Sequence, residues 1–233
     1  MIPIKIMPQP DDVTCGPTSL HAVYNYFGDT ISLQQVISEI SYLEEGGTLA
    51  VMLAIHALKR TYDTIIYTYN LSVFDPTWFD DETDIIAKLI EQRKYKRSKK
   101  LHSATDAYIE YLKLGGKIEF VNLTPSFFKK IFDKRLPILT GLSATYLYNC
   151  SREGWIENKS VYDDVRGFPT GHFVILSGYN EVTRQVVVAD PYLENPVSNN
   201  NYYSVKVTRL INSIMLGVLT FDANLLVINP KGR

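Results

Sequence analysis

The sequence predicts an α+β protein in which N-terminal helices pack on a mostly antiparallel sheet. Apolar residues recur at helical spacing in several segments between residues 16 and 114. Segments rich in β-branched and aromatic residues dominate from residue 136 onward. Helices that cluster early and strands that cluster late are typical of the α+β class, whereas a parallel sheet needs helices and strands that alternate.

The N-terminal part of the chain is expected to be mainly helical. Residues 2–7 alternate weakly between apolar and polar and indicate a short edge strand. Helices are predicted over 16–27, from Ser32 onward, and after Thr48, which is placed to cap the third. The run 63–70 is rich in β-branched and aromatic residues and predicts a strand.

The segment at about 73–116 differs in composition and predicts a helical insertion. An acidic, turn-rich link opens it, and two amphipathic helices follow, IIAKLIEQRKYKR and ATDAYIEYLKL, joined by SKKLHS. The run RKYKRSKK, at the end of the first helix, is strongly basic. We interpret the basic run as a solvated helix face, with a contact site for an acidic partner as the alternative. The insertion and the long polar loop 150–169 are expected to determine substrate specificity.

The C-terminal half is expected to supply most of the sheet. A short turn near residues 180–183 predicts a hairpin. Helices are predicted at 124–135 and 209–217, and strands at 117–123, 136–148, 171–180, 185–192, 202–207 and 224–229.

Length and composition limit the classes of function. A chain of 233 residues with 45% hydrophobic content can form one substantial core, so we expect a single domain over 1–233. The net charge of −1 gives no indication of nucleic acid or an anionic membrane as a partner. With only two cysteines, Cys15 and Cys150, a disulfide framework is not expected, and a single bridge between them would remove the thiol of Cys15.

The sequence gives no sign of export or membrane insertion. Residues 1–12 lack the apolar region of a signal peptide, and the longest apolar stretch, near 211–221, is interrupted and too short to span a bilayer. We therefore expect a cytoplasmic protein without a membrane span, although export without an N-terminal signal is compatible with the sequence.

Cys15 is the first candidate for a reactive group. It lies at the predicted start of the first helix, where Asp12 and Thr14 are placed to cap the helix, and Gly28 is placed to end it. The free N–H groups and the dipole of a helix start favour an anion, and a thiolate is such an anion. On this argument alone, a reactive thiol and a buried structural cysteine are equally compatible with the sequence.

A cysteine nucleophile needs a base, which is commonly a histidine held by a third group. His21 is turned away from Cys15 on the same helix, His56 lies in an apolar helix, and His102 lies in the basic segment. The remaining candidate is His172, at the head of a predicted strand, although a histidine in that position is by itself more often structural.

Two further residues complete a candidate site. Asp190 ends the strand after His172, and the hairpin is expected to bring the two within a position or two of each other, which suits a carboxylate that orients an imidazole. The alternative for Asp190 is an ordinary Asp-Pro turn. Gln9, six positions before Cys15, can donate to an oxyanion beside the Cys15 N–H, or it can be a polar loop residue.

Together these residues resemble the papain-like C39 peptidase family and its C39-like relatives. The resemblance covers the chain to about residue 69 and about 136–190, and it rests on Gln9, Cys15-Gly16-Pro17, Gly171-His172-Phe173-Val174 and Asp190-Pro191-Tyr192. It implies a papain-like fold with Cys15 as nucleophile, His172 as base, Asp190 as the group that orients the base, and Gln9 in the oxyanion hole.

The resemblance also implies a cysteine peptidase or amide hydrolase that acts on a peptide or protein substrate without a cofactor. The best-known members of the family remove double-glycine leader peptides and are fused to an ATP-binding cassette exporter. This sequence has neither a predicted membrane span nor a GxxxxGK[ST] motif. A peptidase of another specificity is therefore an alternative to leader cleavage, and a separate transporter as partner stays open.

Two other functions remain open. An acyl or amide transferase would use the same thioester chemistry, and a non-catalytic module would only bind peptides. The presence of all four chemical groups favours an enzyme. No group of His, Cys and carboxylate residues has the spacing of metal ligands, so no metal is expected.

Overall fold

The structure, a computed structural model, describes residues 1–44, 46–80, 82–156 and 159–232. Glu45 at the end of the predicted second helix, Asp81 of the acidic link and residues 157–158 of the polar loop lie outside the described residues. The helices are α1 (Cys15–Tyr26), α2 (Leu33–Glu39), α3 (Ala50–Lys59), α4 (Ile85–Tyr95), α5 (Lys99–Lys113), α6 (Pro125–Asp133), α7 (Ala144–Tyr148) and α8 (Val207–Leu216). The strands are β1 (Tyr62–Thr68), β2 (Lys117–Glu119), β3 (Ile138–Ser143), β4 (Glu153–Ile156), β5 (Lys159–Tyr162), β6 (Gly171–Asn180), β7 (Gln185–Ala189), β8 (Tyr202–Lys206) and β9 (Asn224–Pro230).

A seven-stranded sheet forms the centre of the protein, in the order β2-β1-β9-β3-β6-β7-β8. β1 and β2 are parallel, and the other neighbouring strands are antiparallel. β4 and β5 form a separate two-stranded hairpin within the predicted polar loop. The predicted α+β class with a mostly antiparallel sheet is confirmed.

Both faces of the sheet are covered by helices. Phe173 and Ile175 of β6 pack in one core cluster with residues of α1, α3 and α5. Val174 and Leu176 of the same strand pack in a second cluster with α6 and α8. Burial on both faces explains why β6 reads as a continuous apolar run and does not alternate.

The predicted helical insertion forms α4 and α5, and α5 belongs to the main core. Leu101, Tyr108 and Tyr111 of α5 are buried in the same cluster as α1 and α3. The Tyr111 hydroxyl lies within hydrogen-bond distance of the Thr64 hydroxyl (3.0 Å) and donates to the main-chain oxygen of Lys117 (3.0 Å). These contacts join α5 to the sheet edge, so the helix is tightly held.

The first residues run along the sheet without forming a ladder strand. Ile2, Ile4 and Ile6 are buried, and the residues between them are exposed, which agrees with the predicted alternation. The Ile2 N–H donates to the Ser177 carbonyl (2.7 Å), and the Gln9 N–H donates to the Pro191 carbonyl (2.9 Å). The segment is therefore fixed at both ends beside β6 and β7.

Several predicted elements differ from the observed ones. The expected strand 136–148 stops at Ser143, whose hydroxyl accepts from the Tyr146 N–H and caps α7. The strand expected at 117–123 is only three residues long. Thr48 does not cap α3, because Leu49 occupies the N-cap position. The hydropathy pattern gives no signal for a cap that converts the end of a buried strand into a helix.

In the part of the chain that the structure describes, no helix combines the length and the apolar character needed to cross a membrane.

Candidate active site

Cys15 is the first residue of α1 and is half-buried. The predicted caps do not act as such, because the Thr14 hydroxyl lies near the Asp11 carbonyl (3.2 Å) and makes no bond to the helix. The helix ends as predicted, since Gly28 follows the C-cap Phe27 with a φ of 84°. The N–H groups of the first turn are therefore left without a side-chain cap beside the thiol.

The start of α1 is held tightly against β6. The Ser19 hydroxyl of α1 donates to the Phe173 carbonyl of β6 (3.3 Å). A side chain at Gly16 would collide with the Thr48 hydroxyl and crowd Phe173. The glycine after Cys15 thus permits the close approach that brings α1 to the strand carrying His172.

The hairpin of β6 and β7 contains a β-bulge at Ser177. Gly178 pairs with Val187, whereas Leu176 pairs with Val188, so Ser177 is one extra residue in β6. On the side of the bulge away from the turn, the pairing of β6 with β7 is therefore shifted by one residue. The shift determines which face of the sheet the residue after β7 occupies.

His172 and Asp190 form a buried hydrogen-bonded pair. The Nε2 atom of His172 lies 2.8 Å from the Oδ1 atom of Asp190. Oδ1 also accepts from the Tyr192 N–H (2.9 Å), and Oδ2 accepts from the hydroxyls of Tyr148 (2.9 Å) and Tyr203 (2.6 Å). The carboxylate therefore has four donors around it, and its orientation toward the imidazole is fixed.

The electrostatics of the pair favour the charged form of both groups. Burial lowers the pKa of His172, but the adjacent Asp190 carboxylate and the Cys15 sulfur raise it to about 10. Burial raises the pKa of Asp190, but the His172 charge and the hydrogen bonds hold it below its usual range. An imidazolium beside a carboxylate is thus the stable state at neutral pH.

Cys15 lines the same cleft as His172. Its sulfur lies close enough to the imidazole to raise the pKa of His172. Since Nε2 faces Asp190, Nδ1 is the ring nitrogen left for the sulfur. The order of groups is therefore thiol, imidazole and carboxylate, which can hold a thiolate–imidazolium pair.

Gln9 lines the same cleft as Cys15 and His172. Its amide nitrogen donates to the Asp11 carbonyl (2.8 Å), and its Oε1 atom is buried without a hydrogen-bond partner. One of the two amide hydrogens is therefore engaged locally, and the other is left for a group in the cleft.

A cleft of about 500 Å³ surrounds these residues. One wall contains Gly46, Gly47 and Thr48 from the loop before α3. Tyr162 at the end of β5 and Phe168 in the loop after it also line the cleft. Phe168 is 75% exposed, so the cleft opens between an aromatic rim and a glycine-rich loop.

Comparisons with known proteins identify the family of the chain. Residues 1–210 match the family described as Peptidase_C39 like family. The chain belongs to this C39-like peptidase family. A comparison with curated proteins finds no match.

Solved structures resemble this C39-like protein at low sequence identity. A structure described as a C39-like peptidase from Bacillus anthracis has a TM-score of 0.54 and 14% identity, with 100% of this chain and 98% of that chain covered. A double-glycine motif protease from an AMS/PCAT transporter, in complex with the leader peptide, has a TM-score of 0.47 and 13% identity over 99% of this chain and 94% of its own. Xylellain, a cysteine protease from Xylella fastidiosa, has a TM-score of 0.41 and 14% identity over 98% of this chain and 84% of its own.

The other histidines of the C39-like protein lie outside the cleft. The His56 ring contacts the Tyr24 hydroxyl (2.8 Å) and the Glu39 carboxylate (3.0 Å), in a buried position on α3. The rings of His21 and His102 contact Asn25 and the main chain of Lys96, respectively. These contacts account for the three rings without any role in the cleft.

The two cysteines of the C39-like protein differ in their surroundings. Both are free, and Cys150 is also half-buried. Burial raises the pKa of Cys150, and the nearby Glu153 carboxylate adds to the effect. Cys150 does not line the cleft. The structure therefore favours a neutral thiol at Cys150.

Sequence reasoning missed the tyrosines that hold Asp190. Tyr148 and Tyr203 are separated from Asp190 by 42 and 13 residues, respectively. Burial and the nearby Asp190 carboxylate raise the pKa of both phenols, so they stay neutral donors. The only signal was the unexplained abundance of tyrosine, 16 in the chain, which does not point to individual positions.

Proposed function

We propose that this protein is a cysteine peptidase that hydrolyses a peptide bond of an extended substrate through a thioester on Cys15. The observation that carries the proposal is the buried hydrogen bond of His172 to the Asp190 carboxylate, in a protein whose Cys15 and His172 line the same cleft. Family membership supports the same chemistry.

In the first half-reaction, the Cys15 thiolate attacks the carbonyl carbon, and an S–C bond forms. The carbon–nitrogen bond then breaks, and His172 gives its proton to the leaving amine. In the second half-reaction, neutral His172 takes a proton from water, and the resulting hydroxide attacks the thioester. The acid product leaves, and the thiolate–imidazolium pair is restored.

Asp190 acts in this proposal by orienting His172. Its hydrogen bond to Nε2 keeps Nδ1 directed at Cys15, and its charge stabilises the imidazolium. Because Tyr148 and Tyr203 fix the carboxylate, the ring has one preferred orientation when neutral and when charged.

The oxyanion of the tetrahedral intermediate needs donors near the sulfur. The Cys15 N–H is in the first turn of α1, where a helix offers no internal acceptor. The free amide hydrogen of Gln9 is the second donor of the proposal. Two donors that are already in place lower the barrier without reorganisation during the reaction.

Peptide cleavage by matched cysteine variants tests the proposed function. A mixed peptide library is incubated with wild type, Cys15→Ala and Cys150→Ser, and the products are identified by mass spectrometry. We expect Cys15→Ala to lose turnover by several orders of magnitude, since the nucleophile is removed, and Cys150→Ser to stay close to wild type. Equal losses in both variants would overturn the assignment.

An amine added to the same assay separates hydrolysis from acyl transfer. If the acyl fragment is released as the acid at every amine concentration, the enzyme is a hydrolase. If the amine diverts most of the acyl fragment into a new amide, the transferase is the correct function.

A further inference from the structure

We propose that Asp222 forms a subsite of the cleft that binds a positively charged substrate side chain, an alkylammonium or a guanidinium group. This inference rests on the proposed function, since the ligand is taken to be a peptide. It adds a substrate class to the site that Cys15 and His172 define.

Asp222 is built into the wall of the cleft. It precedes β9, only 7% of its surface is exposed, and it lines the same cleft as Cys15 and His172. A side chain at Gly171 would collide with the Asp222 carboxylate. The carboxylate thus fills the space next to the main chain that carries His172.

No cation neutralises this carboxylate in the free protein. None of the ion pairs formed by the described residues includes Asp222. The Thr220 side chain nearby lowers its pKa, and the Thr220 hydroxyl itself donates to the Gly217 carbonyl (3.1 Å). A carboxylate that is removed from water without a cation carries a desolvation cost, which a bound cation offsets.

Lys100 and His172 are the two cations that act on this carboxylate, and both are engaged elsewhere. His172 is engaged with Asp190. The Lys100 ammonium donates to the Thr220 carbonyl (3.1 Å) and lies 5.2 Å from the centre of the Phe221 ring. It lowers the pKa of Asp222 through space without forming an ion pair with it. A substrate cation can therefore reach Asp222 without displacing Lys100 from its contacts.

The charge of the cleft points to the same ligand. Among the lining side chains that the structure describes, the acidic ones are Asp12, Glu153 and Asp222, and the basic ones are Lys100 and His172, whose charge a Cys15 thiolate balances. Excess negative charge in a cleft attracts a cationic ligand. A hydrogen bond between a carboxylate and a cation is also stronger in a partly dry site than in water. The buried position of Asp222 makes it the selective member of the three.

Isosteric peptides test the subsite in two independent ways. Peptides that contain arginine are compared with peptides that contain citrulline, its neutral analogue, at each position around the cleavage point. Turnover is measured with the wild type, and equilibrium binding is measured with Cys15→Ala. We expect a preference for arginine at one position of about 10- to 100-fold, the scale of a hydrogen bond to a charged group.

Substitutions assign this preference to a residue. In Asp222→Asn we expect the preference, measured as the ratio of arginine to citrulline cleavage by the same variant, to fall at least tenfold. Asp63→Asn, which removes the same charge from the exposed side of β1, is the control and should keep the preference. Lys100→Gln removes the competing positive charge and should increase the preference for arginine. This variant tests the subsite without depending on the folding of Asp222→Asn.

The outcomes distinguish the subsite from the proposed function. Turnover without any difference between arginine and citrulline, or a preference that persists in Asp222→Asn, overturns the subsite. Preferential binding of the arginine peptide by Cys15→Ala, combined with no turnover by wild type, overturns the peptidase and retains the subsite.

Discussion

Asp190 and His172 lie on the same face of the sheet because β6 contains one extra residue. The register beyond the bulge places Asp190 opposite Val174, two residues from His172. If Ser177 paired with Val188 in a regular ladder, the same turn would place Asp190 opposite Ile175. Asp190 would then lie on the other face from His172, because side chains alternate along a strand. The bulge thus allows the two strands of this hairpin to bring the imidazole and the carboxylate into contact at 2.8 Å.

The first prediction concerns the role of the Asp190 charge. Asp190→Asn keeps an oxygen that can accept from Nε2, and the tyrosine hydroxyls can accept from its amide, so we expect it to retain much more activity than Asp190→Ala. Because the carboxylate charge helps to raise the pKa of His172 to about 10, the alkaline limb of the pH–rate profile should move to lower pH in Asp190→Asn. Equally inactive but folded Asn and Ala variants would mean that the charge itself is required.

The second prediction concerns the Tyr203 hydroxyl, which lies 2.6 Å from the Asp190 carboxylate. Tyr203→Phe removes one of the donors that orient Asp190, so kcat/KM should fall about tenfold, the scale of a hydrogen bond to a charged group. Tyr179→Phe, at the far end of β6, is the matched control. In the Asp190→Ala background, Tyr203→Phe should add no further loss, and an additive loss there would show that the hydroxyl acts independently of Asp190.

Much of the architecture could be predicted from sequence because periodicity records burial. The hairpin of β6 and β7, helix α6 and the Gly28 terminus were predicted closely. The contact of His172 and Asp190 was predicted to within two positions, although the bulge at Ser177 has no sequence signal of its own. The tyrosine donors, Tyr148 and Tyr203, depend on tertiary packing across distant segments, which local patterns do not encode.

The predicted helix caps show a second limit of prediction from sequence. Thr14 and Thr48 were both predicted as caps, since each precedes a helix, but neither hydroxyl bonds to its helix. The Thr48 hydroxyl is instead buried against Gly16, in the wall of the cleft, without a partner. A cap is an angular arrangement of the backbone as well as a residue type, and only the structure gives the angles.

The third prediction concerns Gln9 as an oxyanion donor. Gln9→Ala should lower kcat by about 10²–10³-fold with a smaller effect on KM, because the interaction forms mainly in the transition state. The Gln9 main chain stays bonded to Pro191, so circular dichroism and the melting temperature should stay close to wild type. An unchanged kcat would mean that another group holds the oxyanion.

The fourth prediction concerns the pH dependence of stability at Asp222. Burial raises the pKa of this carboxyl to about 7, despite the opposing effects of Thr220, Lys100 and His172. The folded protein therefore keeps a proton that the unfolded chain releases above about pH 4, and this group lowers the free energy of unfolding progressively from there to about pH 7. The buried phenol of Tyr108 is the further titratable group near it, and it stays neutral in this range.

Asp222→Asn removes that penalty. We expect the variant to melt at least a few degrees higher than wild type at pH 8, and at nearly the same temperature at pH 4, in thermal scans followed by circular dichroism. A difference that is constant from pH 4 to pH 8 would mean that Asp222 is not the group that titrates.

Capture of the acyl-enzyme tests the central claim most directly. Wild-type protein and a cleavable peptide are mixed, quenched in acid within one turnover, digested and analysed by mass spectrometry. The account predicts a mass increase equal to the acyl fragment of the substrate on the peptide that contains Cys15, with no such increase on the peptide that contains Cys150. Cleavage of the substrate without an adduct on Cys15, together with undiminished cleavage by Cys15→Ala, would contradict it.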